Sequence, residues 1–325
     1  MHPFTFTKAR GERAALAAGA RGGRYIAGGT TLVDLMRETV ERPLEVVDIT
    51  ALPYRDIAVG PSELRIGALV RMAELAAHPV VAARLPVIGQ ALELSASPQL
   101  RNMATIGGNL MQRPRCPYFR DVSAPCNRRA PGSGCPAIGG EHRALAVLGT
   151  SAECVATHPS DLAVALVALD AVVLLRSPRG DRRVAVERFI LRPGSTPDRE
   201  HDLLPGELIV GVEVPTGAHT VRSGYLKVRD RQSYEFALAS AAVALDIRGG
   251  VIRDARVAVG GVATAPWRLP GVERVLLGKA PGPELWAAAS ARAADGARPL
   301  PGNAFKVELL KRTVERQLAT IGGAK

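Results

Sequence analysis

The sequence predicts an α+β protein with more than one sheet, and three observations carry that prediction. Apolar alternation of period two recurs at separated places, around residues 64–68, 208–214 and 251–262, as half-buried strands require. Helical spacing appears in Leu162, Ala165, Leu166 and Leu169, and again in Leu309, Leu310, Val314 and Leu318. The 325 residues, 47% of them hydrophobic, can bury a sizeable core, and this length suggests about two or three domains.

The first stretch, residues 1–57, reads strand–helix–strand. A short helix covers Gly11 to Ala20, and Arg24-Tyr25-Ile26-Ala27 is a buried strand ending at Gly28-Gly29. Thr31 to Arg37 restarts a helix, and Leu44 to Ile49 is strand-like. The second stretch, residues 58–217, opens with a strand over Leu64 to Ala68 and continues with helices over Met72 to Ala77 and Val87 to Ala96. A cysteine-bearing irregular segment follows, at about 112–157, then a helix over Ser160 to Leu169 and a strand from Leu208 to Val214 stopped by Pro215. Thr216-Gly217-Ala218-His219 reads as a linker. The third stretch, residues 218–325, runs from a strand at Gly224 to Val228 into Ala237 to Ile247. A turn at Gly249-Gly250, a strand over Val251 to Val262, and helices over Gly282 to Ala294 and Ala304 to Ala319 complete it. No repeat of solenoid period is present.

Charge and motifs narrow the function. The net charge of +11 comes mostly from arginines spread along the chain. Without a Lys/Arg stripe, such basicity favours acidic protein partners or anionic cofactors over nucleic acid. No apolar run approaches the roughly 20 residues of a membrane span. Met1-His2-Pro3-Phe4-Thr5-Phe6 lacks the basic-then-apolar order of a signal peptide, so cytoplasmic assembly is expected; folded export on a partner's signal is compatible with this. The six histidines are scattered, with no H-E-x-x-H and no G-x-S-x-G, and His158 reads as a turn residue. No catalytic side chain stands out, a pattern that suits electron handling by a cofactor.

Two glycine segments point to that cofactor. Gly28-Gly29-Thr30-Thr31 sits between a predicted strand and a predicted helix, where glycine permits positive φ and close approach of a ligand to the backbone. The freed N–H groups make an anion site suited to a pyrophosphate, although neither G-x-G-x-x-G nor a P-loop lysine is present. Thr105-Ile106-Gly107-Gly108-Asn109 reads as a second such loop, able to grip the same diphosphate from the other side. Asp161, at a helix start, suits the helix dipole and equally could accept bonds from ribose or ribityl hydroxyls.

All four cysteines, Cys116, Cys126, Cys135 and Cys154, follow directly behind the second glycine segment. No C-x-x-C is present, so zinc-ribbon knuckles and the compact ferredoxin run are absent. A 4Fe–4S cluster, a four-thiolate zinc site, two disulfides or unrelated thiols remain. Arg113, Arg115, Arg120, Arg128 and Arg129 flank the first two cysteines and would stabilise a reduced anionic cluster; the plain alternative is that they solvate an exposed loop.

Together, Ile26-Ala27-Gly28-Gly29-Thr30-Thr31-Leu32, Thr105-Ile106-Gly107-Gly108-Asn109-Leu110 and Pro159-Ser160-Asp161-Leu162 resemble the flavin-binding subunit of the xanthine dehydrogenase, or molybdenum hydroxylase, family. The resemblance continues through Gly206-Glu207-Leu208-Ile209 and from Lys227 to Ala237. The cysteine insertion is similar to that of the flavin subunits of bacterial three-subunit aldehyde oxidoreductases, which carry an additional 4Fe–4S cluster. The resemblance implies two α/β FAD-binding subdomains of the PCMH type, then a C-terminal domain with an antiparallel sheet and a helix bundle. It places Arg24, Tyr25, Ile26, Ala27, Gly28, Gly29, Thr30, Thr31 and Leu32 in the first diphosphate loop. Thr105, Ile106, Gly107, Gly108 and Asn109 form the second, with Ile106 near the isoalloxazine. Asp161 would meet flavin-side hydroxyls, Ile209 would line the ring pocket and Lys227 would approach the flavin end. Tyr234 and Phe236 would shape the flavin face open to the acceptor. The implied partners are a large subunit with molybdenum cofactor and a small subunit with two 2Fe–2S clusters, in a heterotrimer or a dimer of heterotrimers. Electrons would pass from these subunits through FAD to an external acceptor. The competing readings are a stand-alone FAD-dependent oxidase and a basic non-enzymatic module with structural zinc.

Overall fold

The computed structural model describes residues 1–323; residues 324–325, the end of the third predicted stretch, lie outside them. Among the described residues three sheets form, each from a separate stretch of chain. The first contains β1 (Thr5–Lys8), β2 (Arg24–Ile26) and β3 (Glu45–Asp48), all parallel, in the order β1-β3-β2. Parallel pairing needs crossovers, and the helices Glu12–Ala20 and Leu32–Arg37 supply them. β3 is central, so its Val46 and Val47 are buried. β2 was expected to be buried but lies at the sheet edge and is only half-buried or exposed, because its outer side faces a cleft.

The second sheet contains β4 (Ile57–Val59), β5 (Glu63–Gly67), β6 (Val172–Ser177), β7 (Gly180–Ala185) and β8 (Leu208–Pro215), in the order β4-β5-β8-β6-β7 and antiparallel throughout. The hairpin β6–β7 is absent from the sequence reading: its outer strand, with Asp181, Arg182 and Arg183, is too polar to show apolar alternation. The third sheet is a meander of β9 (Ser223–Val228), β10 (Ala239–Arg248), β11 (Val251–Gly260) and β12 (Trp267–Arg268). Both glycines of the β10–β11 turn have positive φ, Gly249 at 60° and Gly250 at 72°, the backbone a tight two-residue hairpin turn requires.

The sheets share interior. On β10, Ala239, Ala241, Val243 and Leu245 pack with Leu310, Val314 and Leu318 of the helix Phe305–Gly322. The alternate residues Ala242 and Ala244 face the core of the second sheet. Period-two alternation thus buries both faces. Helix Asp161–Ala168 fills the space between; every one of its residues is buried, so it is apolar all round rather than striped. The expected linker at Thr216 to His219 is instead partly structured. Helix Ala218–Val221 begins inside it, and Thr216 accepts a hydrogen bond from Arg84 at 2.9 Å. The α+β expectation holds.

Candidate functional site

The C-terminal end of β2 leads into Gly28-Gly29, and two features show why glycines stand there. Gly29 has φ of 71°, which disfavours a side chain. A Cβ on Gly28 would lie 1.9 Å from Met103 O and 2.6 Å from Met103 C, so the first loop rests directly on the backbone that leads into Thr105. Among the described residues the N–H groups of Gly29, Thr30 and Thr31 make no backbone hydrogen bond, and Thr30 and Thr31 are half-buried. They remain available to an anionic ligand.

The second glycine segment is not the loop the sequence suggested. Gly107 and Gly108 lie in the first turn of helix Ile106–Leu110, whose N-cap is Thr105, with Thr105 Oγ1 accepting from Gly108 N at 3.3 Å. The amides of this first turn are engaged, Gly108 N by the cap and Ile106 N and Gly107 N by carbonyls outside the helix. The segment is pinned to the chain that leaves β5, with Ile106 N to Val70 O at 2.9 Å and Gly107 N to Ala68 O at 2.8 Å.

The two segments form walls of a cleft of about 660 Å³. All nine residues from Arg24 to Leu32 line it, as do Thr105, Gly107, Gly108 and Ile209. So do Leu35, Glu41, Met111, Arg113 and the turn Leu203 to Leu208, which spacing alone did not single out as site residues. The volume, the paired glycine walls and the free amides of the first wall suit a dinucleotide, because backbone without side chains can come close to its phosphates from two sides.

Ile106, Asn109, Asp161 and Lys227 stand outside the cleft wall. Asn109 is buried behind the second segment and accepts from Ser160 Oγ at 2.5 Å; Ser160 in turn caps helix Asp161–Ala168 through Ala163 N at 3.0 Å. Asp161 is buried and fully engaged. Its Oδ1 accepts from Tyr225 at 2.7 Å, and its Oδ2 from Lys227 at 2.8 Å and Ser95 at 3.0 Å. Burial and the Asp161 carboxylate hold the Tyr225 phenol well above its usual pKa. The set joins the second sheet's layer to β9. Tyr234 and Phe236 are exposed, with Tyr234 at φ of 54° and Arg115 over the Phe236 ring.

The cysteine segment folds into short turns around a second, much smaller cavity of about 10 Å³, lined by Cys116, Cys126, Cys135 and Cys154. None of the four is paired in a disulfide. Among the described residues no group of three or more His, Cys, Asp or Glu side chains is placed to hold a metal ion. Burial pushes the Cys116 thiol up to about 11 and Cys135 upward too; ligation would need the thiolates, which a nearby cation favours. Only one of the five flanking arginines meets a sulfur. Arg128 Nε donates to Cys154 Sγ at 3.1 Å. Arg113 pairs with Glu41 and Glu200, Arg115 and Arg120 with Asp34, and Arg129 donates to the carbonyls of Tyr118, Asp121 and Ala124.

Cleft and cavity are neighbours. Leu35, a cleft residue, belongs to the same apolar cluster as Cys116, Cys154 and Phe119. Arg113, also on the cleft wall, stacks on Phe119, which lines the cavity, at 4.6 Å. The two walls are in contact through this pair. His158 is not a free turn residue: desolvation lowers its pKa to about 3, and that of His201 to about 4.

A nucleotide-sized cleft between two glycine-bearing walls defines a dinucleotide-cofactor protein. Comparison with known proteins then specifies which. Residues 4–217 match the FAD binding domain in molybdopterin dehydrogenase, and residues 224–320 match the CO dehydrogenase flavoprotein C-terminal domain. The chain belongs to this family: it is an FAD-binding medium subunit of the molybdenum hydroxylases, a component of an oxidoreductase. It is 45% identical to the aldehyde oxidoreductase FAD-binding subunit PaoB of Escherichia coli (strain K12), over 98% of both chains. It is 30% identical to the carbon monoxide dehydrogenase medium chain of Hydrogenophaga pseudoflava, over 91% of this chain and 88% of that one. A solved carbon monoxide dehydrogenase from Hydrogenophaga pseudoflava, lacking the Mo-pyranopterin moiety, superposes with a TM-score of 0.77 at 25% identity, covering 99% of each chain.

Proposed function

We propose that this chain is the flavin and iron–sulfur electron-transfer subunit of a molybdenum-containing aldehyde oxidoreductase. Its partners in this reading are a molybdenum-cofactor large subunit and a small subunit with two 2Fe–2S clusters. The observation that carries the reading is the contact of Arg113, on the wall of the dinucleotide cleft, with Phe119, on the wall of the four-thiol cavity, which sets the two sites side by side. The resemblance in sequence to an aldehyde oxidoreductase subunit across nearly the whole chain supports the substrate class.

FAD supplies a centre that accepts electrons singly or in pairs. The chain's own part is to hold and place the centres. Gly28, Gly29, Thr30 and Thr31 on one wall present amides and hydroxyls to the diphosphate, Thr105, Gly107 and Gly108 on the other let it approach closely, and Ile209 lines the cleft near the ring. Asp161 and Lys227 contribute from behind the cleft wall, by fixing the helix whose cap Ser160 holds Asn109 of the second segment. The four thiols hold a 4Fe–4S cluster, with Arg128 offsetting its charge. Tyr234 and Phe236, exposed, face the side from which an acceptor would approach. The complex assembles in the cytoplasm, and any export takes place in the folded state.

The test is a visible spectrum with metal and flavin analysis of the anaerobically purified protein, before and after dithionite. About one FAD and four iron per chain are expected. Cys126→Ser should lose the iron and keep much of the FAD. A wild-type protein with neither flavin absorption nor stoichiometric iron refutes the reading, and one zinc per chain in place of iron refutes the cluster.

A further inference from the structure

A chain of ion pairs, buried at its inner members, runs from the thiol cavity to the cleft. Arg128, only 5% exposed, donates its Nε to Cys154 Sγ at 3.1 Å and places Nη1 3.6 Å from Glu200 Oε2. Glu200 Oε1 accepts from Arg113 Nε at 2.8 Å and Nη2 at 2.5 Å. Arg113 Nη1 reaches Glu41 at 2.9 Å, and Glu41 binds Arg24 at the same distance. Arg113, Glu41 and Arg24 all line the cleft. The three inner side chains are nearly removed from water, with side-chain exposures of 4%, 9% and 16% for Arg128, Glu200 and Arg113, so salt screens them little.

We infer that the triad Arg128–Glu200–Arg113 sets the reduction potentials of both centres from one place. The inference rests on the reading that the thiols hold an iron–sulfur cluster and the cleft holds FAD. A cation or N–H donor beside a cluster sulfur favours the reduced, more negative state. Arg128 provides both at Cys154. Arg113 provides a cation at the cleft wall. Glu200 sits between them as a shared counter-ion and restrains both. No bond forms or breaks: each centre gains an electron from upstream, and the triad decides how favourable that gain is. Arg128 and Arg113 are positioning residues in this scheme.

The experiment is a potentiometric titration of the full chain, purified anaerobically with the subunits that accompany it. The cluster is followed by electron paramagnetic resonance and the flavin by visible absorbance. Arg128→Gln should make reduction of the cluster about tenfold less favourable at fixed potential, equivalent to about 59 mV for a one-electron couple, with a smaller change at the flavin. Arg128→Lys keeps the charge and should recover part of the loss. Glu200→Gln should shift both centres the other way, toward easier reduction. A side chain that served packing alone would not produce shifts of opposite sign. Both centres present with unmoved potentials in Glu200→Gln refutes the inference alone; their absence from the wild-type protein refutes the earlier reading instead. If Arg128→Gln fails to hold iron, the sign of the Glu200→Gln shift decides.

Discussion

Gly28→Ala isolates the cleft from the rest of the fold. The added Cβ would meet Met103 O at 1.9 Å, Met103 C at 2.6 Å and Ala104 Cα at 3.1 Å. All three are backbone atoms, so no rotamer change relieves the overlap. The two glycine segments must separate by about an ångström, which overpacking data put at ~1–3 kcal/mol. If that strain falls on the holding of the dinucleotide, it weakens FAD binding by roughly 5- to 150-fold. The sheets' cores lie elsewhere, so secondary structure should survive. The assay is equilibrium dialysis of FAD against apoprotein, with far-ultraviolet circular dichroism as the check on folding. Gly139→Ala is the control, because a Cβ there meets nothing within 4 Å and its φ of −99° is ordinary. Wild-type FAD affinity in Gly28→Ala would show that the two segments do not jointly bound the binding site.

Lys227→Met strands the Asp161 carboxylate with only Tyr225 and Ser95 as donors; breaking a buried pair costs about 3–5 kcal/mol, so thermal denaturation should show a clear fall in Tm, and an unchanged Tm would contradict the pairing. Lys306 is 0% exposed and donates to the carbonyls of Ala144, Leu145 and Gly261 at 2.7 to 3.1 Å. Lys306→Met leaves buried acceptors unpaired at roughly 1–3 kcal/mol each, measurable by urea unfolding, and should loosen the end of the cysteine segment first. Acid should weaken the fold through His158 and His201. Their pKa values in the folded state, about 3 and 4, lie below the ordinary 6.5, so the unfolded chain binds the proton first. Stability is full above about pH 6.5 and declines as pH falls toward 4, and urea midpoints that stay level between pH 7 and pH 5 would be inconsistent with this.

Much of the architecture was legible because it rests on local periodicity. β10 and β11 showed as apolar stretches, and the helix from Phe305 showed as an amphipathic repeat. Elements whose pattern is set by neighbours were read less well. β7 is polar because one hairpin strand can face water; helix Asp161–Ala168 was legible from its spacing, but not its burial on every side, because two layers enclose it. Gly107-Gly108 read as a loop because glycine disfavours helices by ~1 kcal/mol; in the structure Thr105 caps the turn and Ala68 and Val70 hold it.

Residue types alone determined the ingredients of the site: two glycine pairs, four thiols and a flanking set of arginines, each with a chemistry that does not depend on its neighbours. Only tertiary structure decided which ingredients meet. It selected Arg128 from five arginines as the one that touches sulfur, and it brought Glu200 from far along the chain to lie between Arg128 and Arg113. It also turned Asp161 toward Lys227. Hydrogen bonds and ion pairs act over a few ångströms, and the distances between residues remote in sequence are fixed by how the sheets pack, which no local pattern encodes.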